Sequence, residues 1–257
     1  NSGSVMETAS WRDRVDAILV AWQPGIEGGN SVADILTGKV NPSGKLTMTW
    51  PIAATDHPST ANFAKEYDMY TYKNMEGWGK GNIPGVDFSN HEEDIYVGYR
   101  YFDTFKKNVA YPFGFGLSYT TFEMGKPSVK ANGKNIEVSV TIKNTGKVAG
   151  KQVAQVYVTA PKGAYEKPAK ELKAFGKTRE LKPGESQTLK MTLEKRDLAS
   201  FDEANSQWKV DAGNYLFQVG TDVESIKGTA TLKVAEYTEK TSSACAPNVQ
   251  LNYLKQK

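Results

Sequence analysis

The chain has 257 residues, of which 39% are hydrophobic and 24% charged, a balance typical of a globular protein with room for two ordinary domains. Its formal net charge is only +3 and its lysines form no block, which argues against a nucleic-acid-binding surface. One cysteine and two histidines leave little material for a disulfide framework, a zinc site or a serine-histidine-aspartate triad.

The hydrophobic pattern also bears on targeting. No apolar run approaches the roughly 18 residues that a membrane-spanning helix needs, so we expect no membrane span. The chain opens on polar residues rather than on a signal peptide, which is uninformative if the chain is a piece of a longer protein.

The first part of the chain carries two predicted strands. Residues 15–22 form a short, continuous apolar run followed by turn residues, a pattern typical of a strand buried on both faces of a parallel sheet. Residues 45–50 alternate between apolar and polar and stop at Pro51, which predicts a second strand. An open α/β layer usually has about five or six strands, so we expect the rest of this sheet to come from upstream sequence.

A short helix is predicted between these strands, over residues 31–36, because its apolar positions fall on one face. Asn30 or Ser31 would cap its start, and Gly38 would end it. Residues 52–90 follow as a loop-rich stretch with six aromatic side chains. Such a stretch is either a functional loop or an ordered surface excursion, and both interpretations stay open.

From Lys134 onward the pattern becomes all-β. About seven short strands with turn signals at residues 144–146 and 182–185 indicate an immunoglobulin-like sandwich. The clearest strand candidates are residues 136–142, 153–158, 188–193, 215–219 and 230–234. We place the domain boundary at 122/123, the end of the sandwich at 236, and a polar tail at 237–257.

Four segments, in order, resemble the C-terminal part of family 3 glycoside hydrolases of the bacterial three-domain β-glucosidase type. They are residues 11–51 (from WRDRVDAILVAW to TMTWP), 92–105 (EEDIYVGYRYFDTF), 111–122 (YPFGFGLSYTTF), and the sandwich with GKQVAQVYV, KPAKELKAFGKT, LKPGES and DLASFDE. The resemblance implies α/β plus all-β architecture: residues 1–122 as the C-terminal part of an (α/β)6 sandwich, and 123–236 as a fibronectin type III-like domain.

The resemblance also implies the chemistry. The family hydrolyses glycosides with retention, using a nucleophilic aspartate in a Ser-Asp-Trp-like run and an acid/base glutamate in a Gly-Glu-Gly-like loop. Neither motif occurs in this sequence, so we predict no catalytic residue in this chain and expect the chain alone to be inactive. Glu92 and Glu93 are adjacent and point in different directions, which argues against their flanking one glycosidic bond.

By the same resemblance, residues 91–96 lie near the active-site mouth, so Tyr96 is a candidate substrate-binding residue and Trp78 a weaker one. The alternative is that Tyr96, Tyr99 and Tyr101 alternate along a strand and fill a core. Segment 111–122 would connect the two domains, with Gly114 and Gly116 bending the chain and the phenyl groups of Phe113 and Phe115 anchoring the interface. We expect no metal and no cofactor.

The resemblance favours a part of a retaining exo-β-glycosidase, with β-glucosidase ahead of β-xylosidase. Its partners would be a β-linked oligosaccharide or glucoside and the upstream catalytic portion of the same protein. Its location, by analogy, would be periplasmic or secreted. The alternatives are a non-catalytic module that binds carbohydrate or a protein partner, and a truncated product unable to fold alone.

Overall fold

The computed structural model describes residues 2–61, 91–242 and 250–256. Its helices are α1 (Gly28–Leu36) and α2 (Tyr99–Thr104), with single turns of 3-10 helix at Arg12–Arg14, Ala54–Asp56, Pro58–Ala61 and Lys195–Leu198. The strands are β1 (Trp50–Pro51), β2 (Val109–Tyr111), β3 (Phe122–Met124), β4 (Ser128–Asn132), β5 (Asn135–Asn144), β6 (Val153–Thr159), β7 (Glu171–Lys177), β8 (Ser186–Glu194), β9 (Ser200–Asp202), β10 (Gln207–Val210), β11 (Gly213–Gly220), β12 (Ile226–Val234) and β13 (Tyr237–Lys240).

Two antiparallel sheets make a sandwich. The first has the order β12–β11–β6–β7. In the second, β5 pairs with β3 and β4 along one edge and with β8 along the other. A smaller sheet, β13–β10–β9, lies beside them, and β1 pairs with β2 in the first part of the chain.

Strand β5 shows why the sequence folds this way. Its apolar side chains alternate with polar ones, so every second residue points into the sandwich. Ile136, Val138, Val140 and Ile142 are buried and face apolar side chains of the opposite sheet. Burying one such side chain contributes about 1.5–3 kcal/mol, and the core they form is the main source of stability of the sandwich.

Strand β6 differs from β5 because it is buried on both faces. Residues 154–158 are all buried, including the amide side chain of Gln155. Its outer face is covered from the first part of the chain: Gln155 Nε2 donates to the Gly114 carbonyl oxygen at 3.1 Å, and the Tyr157 ring packs edge-on against Tyr99 at 6.1 Å. The sandwich is thus joined to the preceding residues through β6.

The predictions of strands at residues 15–22 and 45–50 are wrong over most of both ranges. Residues 15–22 pair with no strand in the part of the chain that the structure describes, and Val15 and Leu19 are exposed. An apolar run becomes a buried strand only where neighbouring strands take up its backbone hydrogen bonds, and the described ranges supply none for it. Of residues 45–50 only Trp50 is in a strand, and that strand pairs antiparallel with β2.

The predicted helix forms, with different bounds. Helix α1 begins at Gly28, so Asn30 and Ser31 lie inside it rather than at its cap. The prediction of its end is confirmed, because Gly38 follows the helix with φ 75°, the left-handed conformation that glycine adopts without strain.

Tyr99 and Tyr101 lie in helix α2, so the expectation that they alternate along a strand is wrong. Helix α2 follows Gly98, whose φ of 57° is in the left-handed region that glycine adopts without strain. Over so few residues the spacing of the aromatic side chains fits the period of a strand as well as that of a helix. Packing of the buried Phe102 favours the helix.

Among the described residues, the structure contains no helix long and apolar enough to span a membrane.

Candidate functional site

The first predicted site residue, Tyr96, is enclosed. Its side chain has no exposed surface, and its ring packs edge-on against Phe105 at 5.0 Å. Its hydroxyl donates to the Glu166 carboxylate and accepts a hydrogen bond of 3.0 Å from Gln256 Nε2. Three parts of the chain that are far apart in sequence therefore meet at this hydroxyl.

The residues near the end of the chain form one side of this cluster. The backbone N–H of Leu254 donates to the Glu92 carbonyl oxygen at 2.7 Å. Gln256 Nε2 also donates to the Lys167 carbonyl oxygen at 2.8 Å. These contacts hold residues 250–256 against segment 92–96, so the terminal segment covers the Tyr96 hydroxyl.

Burial and, second to it, the hydrogen bond to the Glu166 carboxylate together raise the pKa of Tyr96 to about 12. The neutral phenol is therefore the form that the folded protein favours. A neutral phenol can donate a hydrogen bond and accept one, which is what this hydroxyl does between Glu166 and Gln256.

This perturbed pKa predicts a loss of stability in alkali. The unfolded chain releases the Tyr96 proton near pH 10 and the folded protein near pH 12, so the free energy of unfolding should fall as pH rises through this window. Below pH 10 both states keep the proton, and this contribution stays constant. Urea unfolding at several pH values should show a shallower fall for Tyr96→Phe than for the unchanged protein. An identical fall in both would contradict the assignment.

Helix α2 docks on the sandwich through polar groups as well as rings. The Tyr99 hydroxyl accepts a hydrogen bond from the Leu172 N–H at 2.9 Å, and Thr104 Oγ1 accepts one from the Ala169 N–H at 2.9 Å. Lys170 Nζ lies 3.2 Å from Asp103 Oδ1, with both side chains largely buried. Because a largely buried pair is screened little by solvent, this contact helps to fix the orientation of the helix.

Segment 112–116 makes the second connection between the first part of the chain and the sandwich. Phe113 packs against Tyr99 with ring centroids 4.6 Å apart, and its carbonyl oxygen accepts the Val223 N–H at 3.0 Å. Gly114 adopts φ 84°, and a Cβ atom there would overlap the Gln155 side chain. Gly116 lies so close to the Gly44 carbonyl oxygen that a side chain would not fit. Glycine is therefore required at both positions, as the predicted bend implies.

Glu92 and Glu93 have separate surroundings. The Glu93 side chain is only 6% exposed, and its Oε1 lies 3.2 Å from Nδ1 of the exposed His91. Glu92 is turned to the other side, where its carbonyl and carboxylate oxygens accept backbone N–H groups of residues 252 and 254. The two carboxylates therefore have separate partners, His91 for Glu93 and the backbone N–H of Asn252 for Glu92.

Comparison with known proteins identifies the chain. The family model described as glycosyl hydrolase family 3 C-terminal domain matches residues 1–119, and the fibronectin type III-like domain model matches residues 152–223. The chain belongs to glycoside hydrolase family 3, in its C-terminal region. The predicted fold class, α/β followed by an all-β sandwich of fibronectin type III type, is confirmed for this family 3 region.

Individual relatives agree with the family models. A β-glucosidase of Kluyveromyces marxianus is 41% identical over 226 residues, which is 87% of this chain and 24% of that protein. β-Glucosidase A of Butyrivibrio fibrisolvens is 41% identical over 251 residues, 88% of this chain and 28% of that protein. The structure of β-glucosidase 3B from Thermotoga neapolitana in complex with glucose matches with a TM-score of 0.80 and 46% identity, over 94% of this chain and 31% of that one. The family 3 chain spans about a quarter of the length of the curated relatives.

Three further residues that the sequence brought into question are Trp78, the single cysteine Cys245 and His57. Trp78 and Cys245 lie outside the described residues. His57 is partly buried against Phe102, with ring centroids 5.3 Å apart, and this burial lowers its pKa. In the described ranges of this family 3 chain, no three histidine, cysteine, aspartate or glutamate side chains are grouped to hold a metal ion.

Sequence reasoning missed Glu166 and Gln256, which meet the Tyr96 hydroxyl. Glu166 follows β6 in an irregular loop, and Gln256 lies in the polar tail, so neither belongs to a motif. They stand 70 and 160 residues from Tyr96, and no local pattern in the sequence connects them to it. Their role in this family 3 chain emerges only from the tertiary structure.

Proposed function

We propose that this chain forms the C-terminal part of a retaining exo-β-glycosidase, namely a β-glucosidase that hydrolyses terminal non-reducing β-D-glucosyl residues. The observation that carries the proposal is the 46% identity and TM-score of 0.80 to β-glucosidase 3B of Thermotoga neapolitana, whose structure was solved with glucose. The curated relatives from Kluyveromyces marxianus and Butyrivibrio fibrisolvens bear the same name, β-glucosidase.

The contribution of this chain is structural support and one wall of the substrate pocket. Rings and ion pairs join helix α2 to the sandwich, and segment 112–116 fixes the connection from the other side. Segment 91–98 leads directly into helix α2, so the docking of that helix fixes the end of the segment. Tyr96 remains the residue of this segment that we propose for substrate binding, with Trp78 as a second.

The bond-breaking groups come from elsewhere under this proposal. Retaining hydrolysis needs two carboxyl groups about 5–5.5 Å apart, one as nucleophile and one as acid and base. The one adjacent carboxylate pair that the sequence analysis singled out, Glu92 and Glu93, has separate structural partners. We therefore assign both catalytic groups to the upstream catalytic portion of the enzyme, which is the partner this chain requires.

A chimera tests whether this chain supplies the scaffold while the upstream portion supplies the catalytic carboxylates. In β-glucosidase 3B of Thermotoga neapolitana, the matched region would be replaced by this chain, since the two align over 94% of the chain. We expect the chimera to hydrolyse p-nitrophenyl β-D-glucopyranoside, because under this proposal the remaining part of the host supplies the carboxylates. The host enzyme without the region, and this chain alone, should both show no turnover.

Two results would contradict the proposal. Turnover by the isolated chain would show that catalytic carboxylates lie within it. A chimera that unfolds cooperatively, as checked by circular dichroism, yet has no activity would show that this chain does not supply the family 3 scaffold and pocket wall.

A further inference from the structure

A large open cleft lies between the loop after β6 and the small β9–β10 sheet. Its volume is about 1000 Å3, and its rim includes Asp94, Ile95 and Tyr253. This is the upper end of the roughly 300–1,000 Å3 range of small-molecule sites, so the cleft has room for a ligand larger than one hexose.

Aromatic side chains line the cleft. Tyr165 comes from the loop, Phe201 and Trp208 from the small sheet, and Tyr253 from the terminal segment. Phe201 and Trp208 pack with ring centroids 5.2 Å apart, and the Arg196 guanidinium lies 5.4 Å from the Trp208 ring centroid. Aromatic rings at separate points of one cleft suit a ligand with several flat apolar faces.

Charges of both signs are interleaved between these rings. Glu171 lies 3.4 Å from Arg100 and 3.1 Å from Lys173, so these side chains largely neutralise one another. The rim carboxylates of Asp94 and Glu203 add hydrogen-bond acceptors. The cleft lining as a whole has six acidic and four basic side chains, a small negative excess that disfavours a polyanion, and its donors and acceptors fit a neutral, hydroxyl-rich ligand.

The loop wall is held before any ligand arrives. Lys167 Nζ lies 2.5 Å from Asp211 Oδ2 and donates to the Pro161 carbonyl oxygen at 3.2 Å, with both charged side chains largely buried. The nearby Asp202 carboxylate of the small sheet raises the pKa of the Tyr165 phenol. A preorganised wall loses little conformational freedom when a ligand binds.

We propose that this cleft binds a neutral oligosaccharide. Tyr165 and Tyr253 stack on pyranose rings, and the rim carboxylates accept hydrogen bonds from sugar hydroxyl groups. The apolar C–H face of a pyranose matches an aromatic ring, and its hydroxyl rim matches carboxylate and guanidinium groups. The choice of a β-linked gluco-oligosaccharide as the ligand rests on the proposed function. The proposal that the cleft binds a neutral oligosaccharide rests on its lining residues alone.

Calorimetric titration of the full chain with cellotetraose and laminaritetraose tests this site. We expect saturable binding of at least one of them, weakened about tenfold by Tyr165→Ala and by Tyr253→Ala, which corresponds to roughly 1.4 kcal/mol each. Tyr253 belongs to a terminal segment outside the sandwich, so its replacement should leave the unfolding midpoint unchanged.

The matched control is Phe175→Ala, which removes an exposed aromatic ring from β7, outside the cleft, and should bind as the unchanged chain does. Absence of binding by the unchanged chain, or equal weakening in all three variants, would overturn the proposal. Failure of the chimera with binding retained would refute the proposed function and leave the oligosaccharide cleft standing. An active chimera together with no oligosaccharide binding by this chain would support the proposed function and refute the oligosaccharide cleft.

Discussion

Replacing Phe217 by alanine should lower the free energy of unfolding by about 3–5 kcal/mol. Phe217 lies in β11 between Val158 of β6 and Ala230 of β12, and its side chain is 0% exposed. Removal of the ring loses its transfer free energy and leaves a cavity that the two paired strands hold open. Urea unfolding followed by far-ultraviolet circular dichroism measures the change as a shift in midpoint.

Phe175→Ala is the matched control for this experiment. The residue is a phenylalanine in a strand of the same sheet, but it is 71% exposed on the edge strand β7. Its replacement should change the free energy of unfolding by no more than about 0.5 kcal/mol. Similar losses in the two variants would show that β11 does not lie at the centre of the core.

Replacing Gly114 by alanine should cost about 2–5 kcal/mol of stability, from two separate effects. The first is backbone strain, because φ at this position is 84°. The second is overlap between the new methyl group and Gln155. Gln155 cannot move aside freely, because it donates to the carbonyl oxygens of Gly114 and Thr221 and accepts from the Tyr157 hydroxyl at 2.6 Å.

Gly184→Ala separates the two effects. Gly184 has nearly the same φ, 81°, but a Cβ atom there would meet nothing within 4 Å. Its replacement should therefore cost only the strain of the left-handed conformation, about 1–2 kcal/mol. The difference between the two variants in urea midpoint measures the contact between Gly114 and Gln155. Equal losses would mean that this contact does not join the first part of the chain to the sandwich.

The sandwich was predictable because the alternation of apolar and polar residues within each strand is visible in the local sequence. In β5, apolar and polar residues alternate at the period of a strand, and the structure pairs its residues 135–143 with β8. The turn signal at residues 182–185 is likewise local, since Gly184 supplies the positive φ that the turn needs. Prediction was weaker for the short strands β9, β10 and β13, whose three or four residues give too little alternation to detect.

The first part of the chain was predicted less well, for a different reason. The run at residues 15–22 is apolar enough for a buried strand, yet burial depends on neighbours rather than on the run itself. Helix α2 has aromatic residues that fit both a strand and a helix, and its docking on β6 and β7 selects the helix. Periodicity alone does not separate the two over six residues.

The sequence by itself determined the family, through four ordered motifs, and the sandwich, through strand alternation and turn residues. Only the tertiary structure decided the surroundings of Tyr96. It joins that hydroxyl to Glu166 and Gln256, 70 and 160 residues away, and covers it with a segment that has no pattern of its own. The physical reason is that strand alternation and turns depend on neighbours in sequence, whereas a buried hydroxyl needs partners that only folding brings within hydrogen-bond distance.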